Sequence, residues 1–95
     1  MVRLCLVNNL KEIAKLRKKI DALDDQIVDL LGERFNITGE IGELKRKGDE
    51  SVYQSGREEA ILKRVVVRGK KLGLDGLLLQ ALFLQIFAVS KRKQN

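Results

Sequence analysis

The sequence predicts an all-α fold of three helices per chain, one very long and two short. Apolar residues recur at alternating steps of three and four from residue 13 to residue 44, which is a heptad pattern. Proline is absent from all 95 residues, which indicates few and short connections. Residues 77–89 are apolar on nearly every side, which predicts a helix that is buried all round.

The first predicted helix begins at Asn9, because Asn9 and Glu12 have the spacing of a capping box. Its apolar seam continues for about four and a half heptads. Residues 45–48 then supply a basic last turn and a glycine C-cap. At 1.5 Å per residue, this helix is about 57 Å long. The seam positions are Ile13, Leu16, Ile20, Leu23, Ile27, Leu30, Ile37, Ile41 and Leu44.

Two short helices follow. The second covers about residues 55–72 and ends at a glycine C-cap, Gly73. Asp75 then caps the third helix, which covers about residues 76–93. The apolar face of the second helix consists of Ile61, Leu62, Val65 and Val66.

These lengths create a packing problem. The two short helices are each about 27 Å long, so that together they match the first helix. One such chain is too thin to bury its third helix on all sides, and a chain of 95 residues buries a modest fraction of its surface. The sequence therefore predicts a single domain, residues 1–95, that forms an intertwined homodimer with its long helices paired along the seam.

The composition excludes several classes of protein. The chain has no histidine, and its one cysteine, Cys5, cannot form an internal disulfide. Disulfide scaffolds, zinc modules and histidine-dependent hydrolases are excluded, and we expect neither a metal nor a cofactor. No apolar stretch reaches the roughly 20 residues of a membrane span, and no signal peptide is recognisable, so we expect a cytoplasmic protein without a membrane partner. The net charge of +6 indicates an anionic partner.

Two cations interrupt the apolar seam. The heptad alternation places Arg34 at a seam position, and Lys45 lies three turns further along the same face. A cation at such a position needs an anion, because its burial is otherwise costly. The pattern alone slightly favours a buried ion pair with Glu33 or Glu58, or a polar residue that sets the register. The alternative is that these cations bind an anionic ligand.

Further polar residues lie beside the apolar faces. Arg17 is too far along the first helix to reach Arg34 and Lys45 of its own chain, although it can reach those of a partner chain. Glu58 has capping-box spacing with Ser55, which explains it without a ligand. Ser90 and the residue one turn on continue an apolar stripe, as in a helix end that frays into solvent.

Together these residues provide four cations and neutral hydrogen-bonding groups, without a nucleophile or a good base. Arginine side chains grip carboxylates in a defined geometry. The set therefore suits a small dianion and chemistry that proceeds by positioning and electrostatic stabilisation. The cations are Arg17, Arg34, Lys45 and Arg57, and the other candidates are Glu58, Ser90 and Gln94.

Several segments keep a fixed spacing: residues 16–24 (LRKKIDALD), residues 31–34 (LGER), residues 41–45 (IGELK), Arg57-Glu58, and Ser90 with Gln94. With these segments in register, the sequence resembles the all-helical chorismate mutases, which occur alone or fused to prephenate dehydratase or dehydrogenase. The resemblance covers residues 10–94 without gaps. It leaves residues 1–8 as an N-terminal extension.

The resemblance implies an intertwined homodimer with two active sites that rearranges chorismate to prephenate, in phenylalanine and tyrosine biosynthesis. The reaction is pericyclic and needs no cofactor, metal or proton transfer. Arg34, Lys45 and Gln94 are then the catalytic residues, the last two bonding the ether oxygen of the substrate. The other implied substrate contacts are Arg17 from the partner chain, Arg57 as a supporting cation, Glu58 at the ring hydroxyl and Ser90 at the ring carboxylate.

The sequence departs from the family before Arg57. The family often has proline and aspartate there, and this chain has Ser51 and Gln54. Gln54 is therefore a further candidate contact, and we expect a more mobile loop and a weaker hydroxyl contact. Gln94 is neutral where some relatives have glutamate, so we expect activity with little loss between about pH 6 and about pH 8.

Two other functions remain open at this point. Isochorismate-pyruvate lyases share the fold and a similar cationic site, and their substrate is also a dianion. A basic helical module for dimerisation or nucleic-acid binding agrees with the charge of +6 and the heptads. Several cations lie on or beside apolar faces and aromatic residues make up 4% of the chain, so we expect no nucleic-acid partner.

Overall fold

The computed structural model is all-helical over the residues that it describes. Its helices are α1 (Val2–Gly48), α2 (Arg57–Lys71) and α3 (Gly76–Gln94). The backbone is described for residues 2–48 and 56–94, and the side chains for residues 6–48 and 56–92. The prediction of one very long and two short helices is confirmed, and these residues include no strand. None of the described helices is long and apolar enough to cross a membrane.

The predicted start of the first helix was wrong. α1 begins at Val2 and runs through Asn9, so Asn9 does not cap it. Residues 2–8 contain neither proline nor glycine, and an asparagine inside a helix costs less than about 1 kcal/mol. Because helix growth is cooperative, nothing in this segment stops it. The predicted end is confirmed, since α1 ends at Gly48 after three basic residues.

The chain forms two compact units, Met1–Arg34 and Phe35–Asn95. The first unit is helical from Val2 onward, and none of its described side chains is buried. Its predicted seam faces solvent within one chain, from Ile13 at 42% exposure to Leu30 at 62%. A single chain therefore does not cover this apolar stripe.

The second unit contains a helical hairpin, in which α2 and α3 pack against each other. The N–H of Leu74 donates to the carbonyl of Gly69 at 2.9 Å, and the N–H of Gly73 donates to the carbonyl of Lys70 at 3.1 Å. These two bonds form a Schellman motif, and Gly73 has the left-handed φ of 74° that the motif requires. The predicted glycine C-cap is confirmed.

The start of α3 also matches its prediction. The Oδ1 atom of Asp75 accepts a hydrogen bond from the N–H of Leu77 at 3.0 Å, as an N-cap does. Just before the turn, α2 approaches α3 closely at Gly69, where an added Cβ would lie 2.0 Å from the Cδ1 of Leu79. The turn and this close approach set the register of the hairpin.

The described core lies in the second unit. Ile61 of α2 and Phe87 of α3 are 5% and 4% exposed, and the rings of Phe83 and Phe87 meet edge to face with centroids 6.1 Å apart. Within one chain, the face of α3 opposite Phe87 is exposed, with Leu78 at 50%. The burial of α3 on all sides is therefore not achieved by one chain. The predicted apolar face of α2 is confirmed, since Ile61, Leu62, Val65 and Val66 are buried or half-buried.

Candidate active site

The predicted site residues are divided between the two units. Arg17 is exposed and Arg34 is half-buried, and both lie in the part of α1 that belongs to the first unit. The second unit carries Lys45 on α1, Arg57 and Glu58 on α2, and Ser90 and Gln94 on α3.

Lys45 lies on a partly buried stripe of α1. Thr38 is two turns earlier on the same face, is 8% exposed, and donates a hydrogen bond from its hydroxyl to the carbonyl of Phe35 at 2.9 Å. Gly42 is also buried, and Lys45 itself is half-buried. The last turn of α1 therefore presents an ammonium group at the edge of a desolvated surface, where its attraction for an anion is stronger than in open water.

Ser90 is buried, which corrects the interpretation of this end of α3 as a frayed helix end. Its side chain is 8% exposed, and its hydroxyl donates to the carbonyl of Ile86 at 3.0 Å. Phe87 anchors the preceding turn in the core, and the helix continues to Gln94. The buried part of α3 therefore extends to Ser90, one turn further toward the C-terminus than a polar residue suggested.

Glu58 pairs across the hairpin. The N-cap of α2 is Gly56, with a left-handed φ of 84° and no side-chain hydrogen bond, and Ser55, the other residue of the expected capping box, lies outside the described residues. The Oε1 atom of Glu58 lies 3.0 Å from the Nζ atom of Lys91, and the two side chains are 39% and 59% exposed. A first-turn carboxylate of α2 is thus joined to the last part of α3.

Lys91 was missed by the sequence analysis. The register of the hairpin could have identified Lys91 as the residue that faces Glu58. Counted outward from Leu74, Ile61 and Phe87 are each 13 residues away, and Glu58 and Lys91 are 16 and 17 residues away. Residues at equal distances from a tight turn face each other in an antiparallel pair of helices, so the core pair and the ion pair follow from one count.

Three predicted positions contribute less to the described geometry. Arg57 is exposed at the first position of α2. Gln54 lies outside the described residues. The backbone of Gln94 ends α3, and its side chain also lies outside the described part.

The open end of the hairpin therefore joins the carboxylate of Glu58 to the ammonium group of Lys91, and the next residue along the chain from Lys91 toward the core is the buried Ser90. These groups donate and accept hydrogen bonds and carry charge. The sequence has no histidine to activate a nucleophile. Such a set is suited to holding a polar, charged ligand in one orientation.

The sequence is similar to a known protein family and to several curated proteins. The sequence profile of the family described as "Chorismate mutase type II" matches residues 16–95. The chain is 37% identical over 68 residues to the bifunctional chorismate mutase/prephenate dehydratase of Escherichia coli (strain K12), which covers 72% of this chain and 18% of that protein. It is 33% identical over 63 residues to the protein of the same name from Aquifex aeolicus, covering 66% and 17%.

A relative with a different name shows a longer alignment. The T-protein of Enterobacter agglomerans is 27% identical over 84 residues, which covers 88% of this chain and 22% of the T-protein. The chain thus spans about a fifth of the length of these curated relatives, from 17% to 22%.

Proposed function

The chain belongs to the type II chorismate mutase family, and from this premise we propose that it rearranges chorismate to prephenate. One observation carries the proposal: the family match over residues 16–95 includes the candidate site residues, from Arg17 to Gln94. The chemistry of these residues supports it, because they supply cations and hydrogen bonds without a nucleophile. A pericyclic reaction within one substrate molecule needs no more than this.

The proposed mechanism is electrostatic. Arg34 binds one carboxylate of the dianionic substrate and favours the chair-like conformer in which the reacting carbons meet. Lys45 and Gln94 donate hydrogen bonds to the ether oxygen, where negative charge grows as the C–O bond breaks. These bonds are stronger in the transition state than in the ground state, so that they lower the barrier.

The remaining candidates orient the ring of the substrate. Glu58 accepts a hydrogen bond from the ring hydroxyl, and Ser90 contacts the ring carboxylate. Arg57 adds a supporting positive charge at the start of α2, and Gln54 is a further contact in the preceding loop. No metal or cofactor takes part in this proposal.

We further propose that two chains form an intertwined homodimer with shared sites. The exposed seam of the first unit supports this, because an apolar stripe of this length is stabilised when a second helix covers it. Arg17 lies beside that seam and then serves the site of the other chain. The enzyme would act in the cytoplasm, in phenylalanine and tyrosine biosynthesis.

The first experiment is an assay of the purified protein with chorismate and, in parallel, with isochorismate. We expect chorismate to disappear with stoichiometric formation of prephenate, and isochorismate to remain. Release of pyruvate from isochorismate, without prephenate formation, would assign the chain to lyase chemistry. Steeply salt-dependent DNA binding without either reaction would favour a nucleic-acid-binding module.

The second experiment tests the proposed catalytic cations. We expect Arg34→Ala and Lys45→Ala each to lower kcat/KM by about a hundredfold or more, because each removes a group that stabilises transition-state charge. Lys47→Ala is the matched control, since Lys47 is an exposed cation in the same last turn. Variants that fold, dimerise and turn over chorismate like the parent would contradict the proposed site.

A mixing experiment tests the shared site. Arg17→Ala and Lys45→Ala chains are inactive alone, but half of the dimers in an equal mixture contain one of each. One of the two sites in such a dimer has both cations, so about a quarter of the parental activity should return. No recovery after exchange of the chains would mean that Arg17 does not act across the dimer.

A further inference from the structure

The ion pair between Glu58 and Lys91 differs from the other pairs described here. Lys15–Glu12, Arg46–Glu43 and Lys63–Glu59 join residues three or four apart on one helix. Glu58 and Lys91 are 33 positions apart and connect α2 to α3. Their contact fixes the open end of the hairpin, opposite the Schellman turn.

The surroundings hold this pair in place. Glu58 is in the first turn of α2 and Lys91 is near the end of α3, so each charge is favourable for the dipole of its own helix. The neighbour of Lys91 is the buried Ser90, and Phe87 lies one turn earlier in the core. The buried residues 87 and 90 therefore anchor the turn of α3 that carries Lys91 next to the first turn of α2.

The geometry leaves part of the carboxylate for another partner. The ammonium group contacts Oε1 of Glu58 at 3.0 Å, and a carboxylate has two oxygens with about four acceptor positions. Glu58 is 39% exposed, so that a ligand at the open end of the hairpin can reach Oε2. A carboxylate without the ammonium group would sample several rotamers, because glutamate has three rotatable side-chain bonds.

We propose that Lys91 is a positioning residue for substrate: it holds Glu58 through Oε1, so that Oε2 faces the ring hydroxyl of the bound dianion. This inference rests on the proposed function, in which Glu58 accepts that hydroxyl. Lys91 itself touches no reacting atom. Its contribution is to fix one rotamer of Glu58 before substrate arrives, which lowers the entropic cost of binding.

The test compares Lys91→Met with Lys91→Arg and with the control Lys63→Met. The control removes an exposed ion pair between Lys63 and Glu59, which lie about one turn apart on the same α2 helix. Each variant is assayed with chorismate and with an analogue that lacks the ring hydroxyl. We expect Lys91→Met to lower kcat/KM for chorismate by about tenfold, mainly through KM, and to change turnover of the analogue by less than about twofold. Lys91→Arg should restore most of the loss, and Lys63→Met should behave like the parent.

A double-mutant cycle completes the test. In a Glu58→Gln background, Lys91→Met should have little further effect, because the carboxylate that it positions is gone. Equal losses with chorismate and the analogue, a loss no larger than in Lys63→Met, or faster turnover would overturn the inference while leaving the proposed function intact. A parent protein that does not convert chorismate would overturn both.

Discussion

The units Met1–Arg34 and Phe35–Asn95 are both rich in apolar side chains, and they place them differently. In the first unit, every described seam residue is exposed, including Ile20 at 54%. In the second unit, Ile61 and Phe87 form a core, and Thr38 and Ser90 are also buried. The second unit thus has a hydrophobic centre of its own, whereas the described side chains of the first unit include an apolar stripe that is exposed.

This difference indicates that the two units depend on different contacts. The hairpin is specified by residues within the chain, through its turn, its glycines and its core pair. The heptad seam is regular for four and a half repeats, yet it has no covering partner in its own unit. Its regularity and its exposure favour a second copy of the chain as the partner that covers it.

The largest expected effect is on the seam. Ile20→Glu should destabilise the dimer by more than about 5 kcal/mol, because it buries an unpaired charge in each of two chains. Light scattering and urea unfolding should show monomers with little helical cooperativity, and mutase activity should disappear. Lys18→Glu, on the opposite face of the helix, should retain the dimer. If both variants kept the dimer, or both lost it, the exposed seam would not be the contact between chains, and the proposed difference between the two units would be wrong.

The next effect is in the core of the second unit. Phe87→Ala should cost about 4 kcal/mol in urea unfolding, as large-to-small changes at buried phenylalanines do. Leu84→Ala sharpens the comparison, because Leu84 is 53% exposed in one chain. We expect it to cost about 2 kcal/mol in the proposed homodimer, where a second copy would cover Leu84. A cost near zero would mean that the face meets water.

A smaller effect concerns the end of α3. The parent should lose little activity between about pH 6 and about pH 8, because the Gln94 amide does not titrate in this range. Gln94→Glu should lower kcat/KM by about a hundredfold at neutral pH and recover it in acid, since only the protonated carboxyl donates to the ether oxygen. Gln94→Met should be slow at all pH values. If kcat/KM of Gln94→Glu does not change with pH, Gln94 does not belong to the proposed site.

The smallest effects are expected at two glycines. Gly73→Ala in the second unit should destabilise by about 1 kcal/mol, because its φ of 74° is unfavourable for a residue with a Cβ. Gly32→Ala in the first unit should stabilise by up to about 1 kcal/mol, since Gly32 is helical with open space around its Cβ position. Thermal unfolding measures both. A destabilising Gly32→Ala would indicate that another chain packs at Gly32.

The elements that follow local rules were predictable from the sequence. The ends of α1 and α2, the caps at Gly73 and Asp75, and the apolar face around Ile61 depend on neighbours within a few residues. The start of α1 was not predictable in this way, because a capping pattern at Asn9 does not stop a helix that can continue toward the N-terminus.

The local explanations of Glu58 and Ser90 have the same weakness. A helix cap for Glu58 and a frayed end for Ser90 each use residues of one helix only, and they miss the ion pair of Glu58 and the burial of Ser90. Their actual surroundings depend on the register between α2 and α3, which the Gly69–Leu79 approach and the turn determine. A side chain that meets another helix is predictable only after that register is counted.

The short turn of the hairpin also has a kinetic consequence. Only residues 72–75 separate α2 from α3, so closing this loop costs little chain entropy and the helices meet through contacts that are close in sequence. The hairpin can therefore form early, before any second chain is encountered. In the proposed homodimer, the seam of α1 would be covered only after two chains meet, so that refolding would show a rapid unimolecular step followed by one whose rate rises with protein concentration.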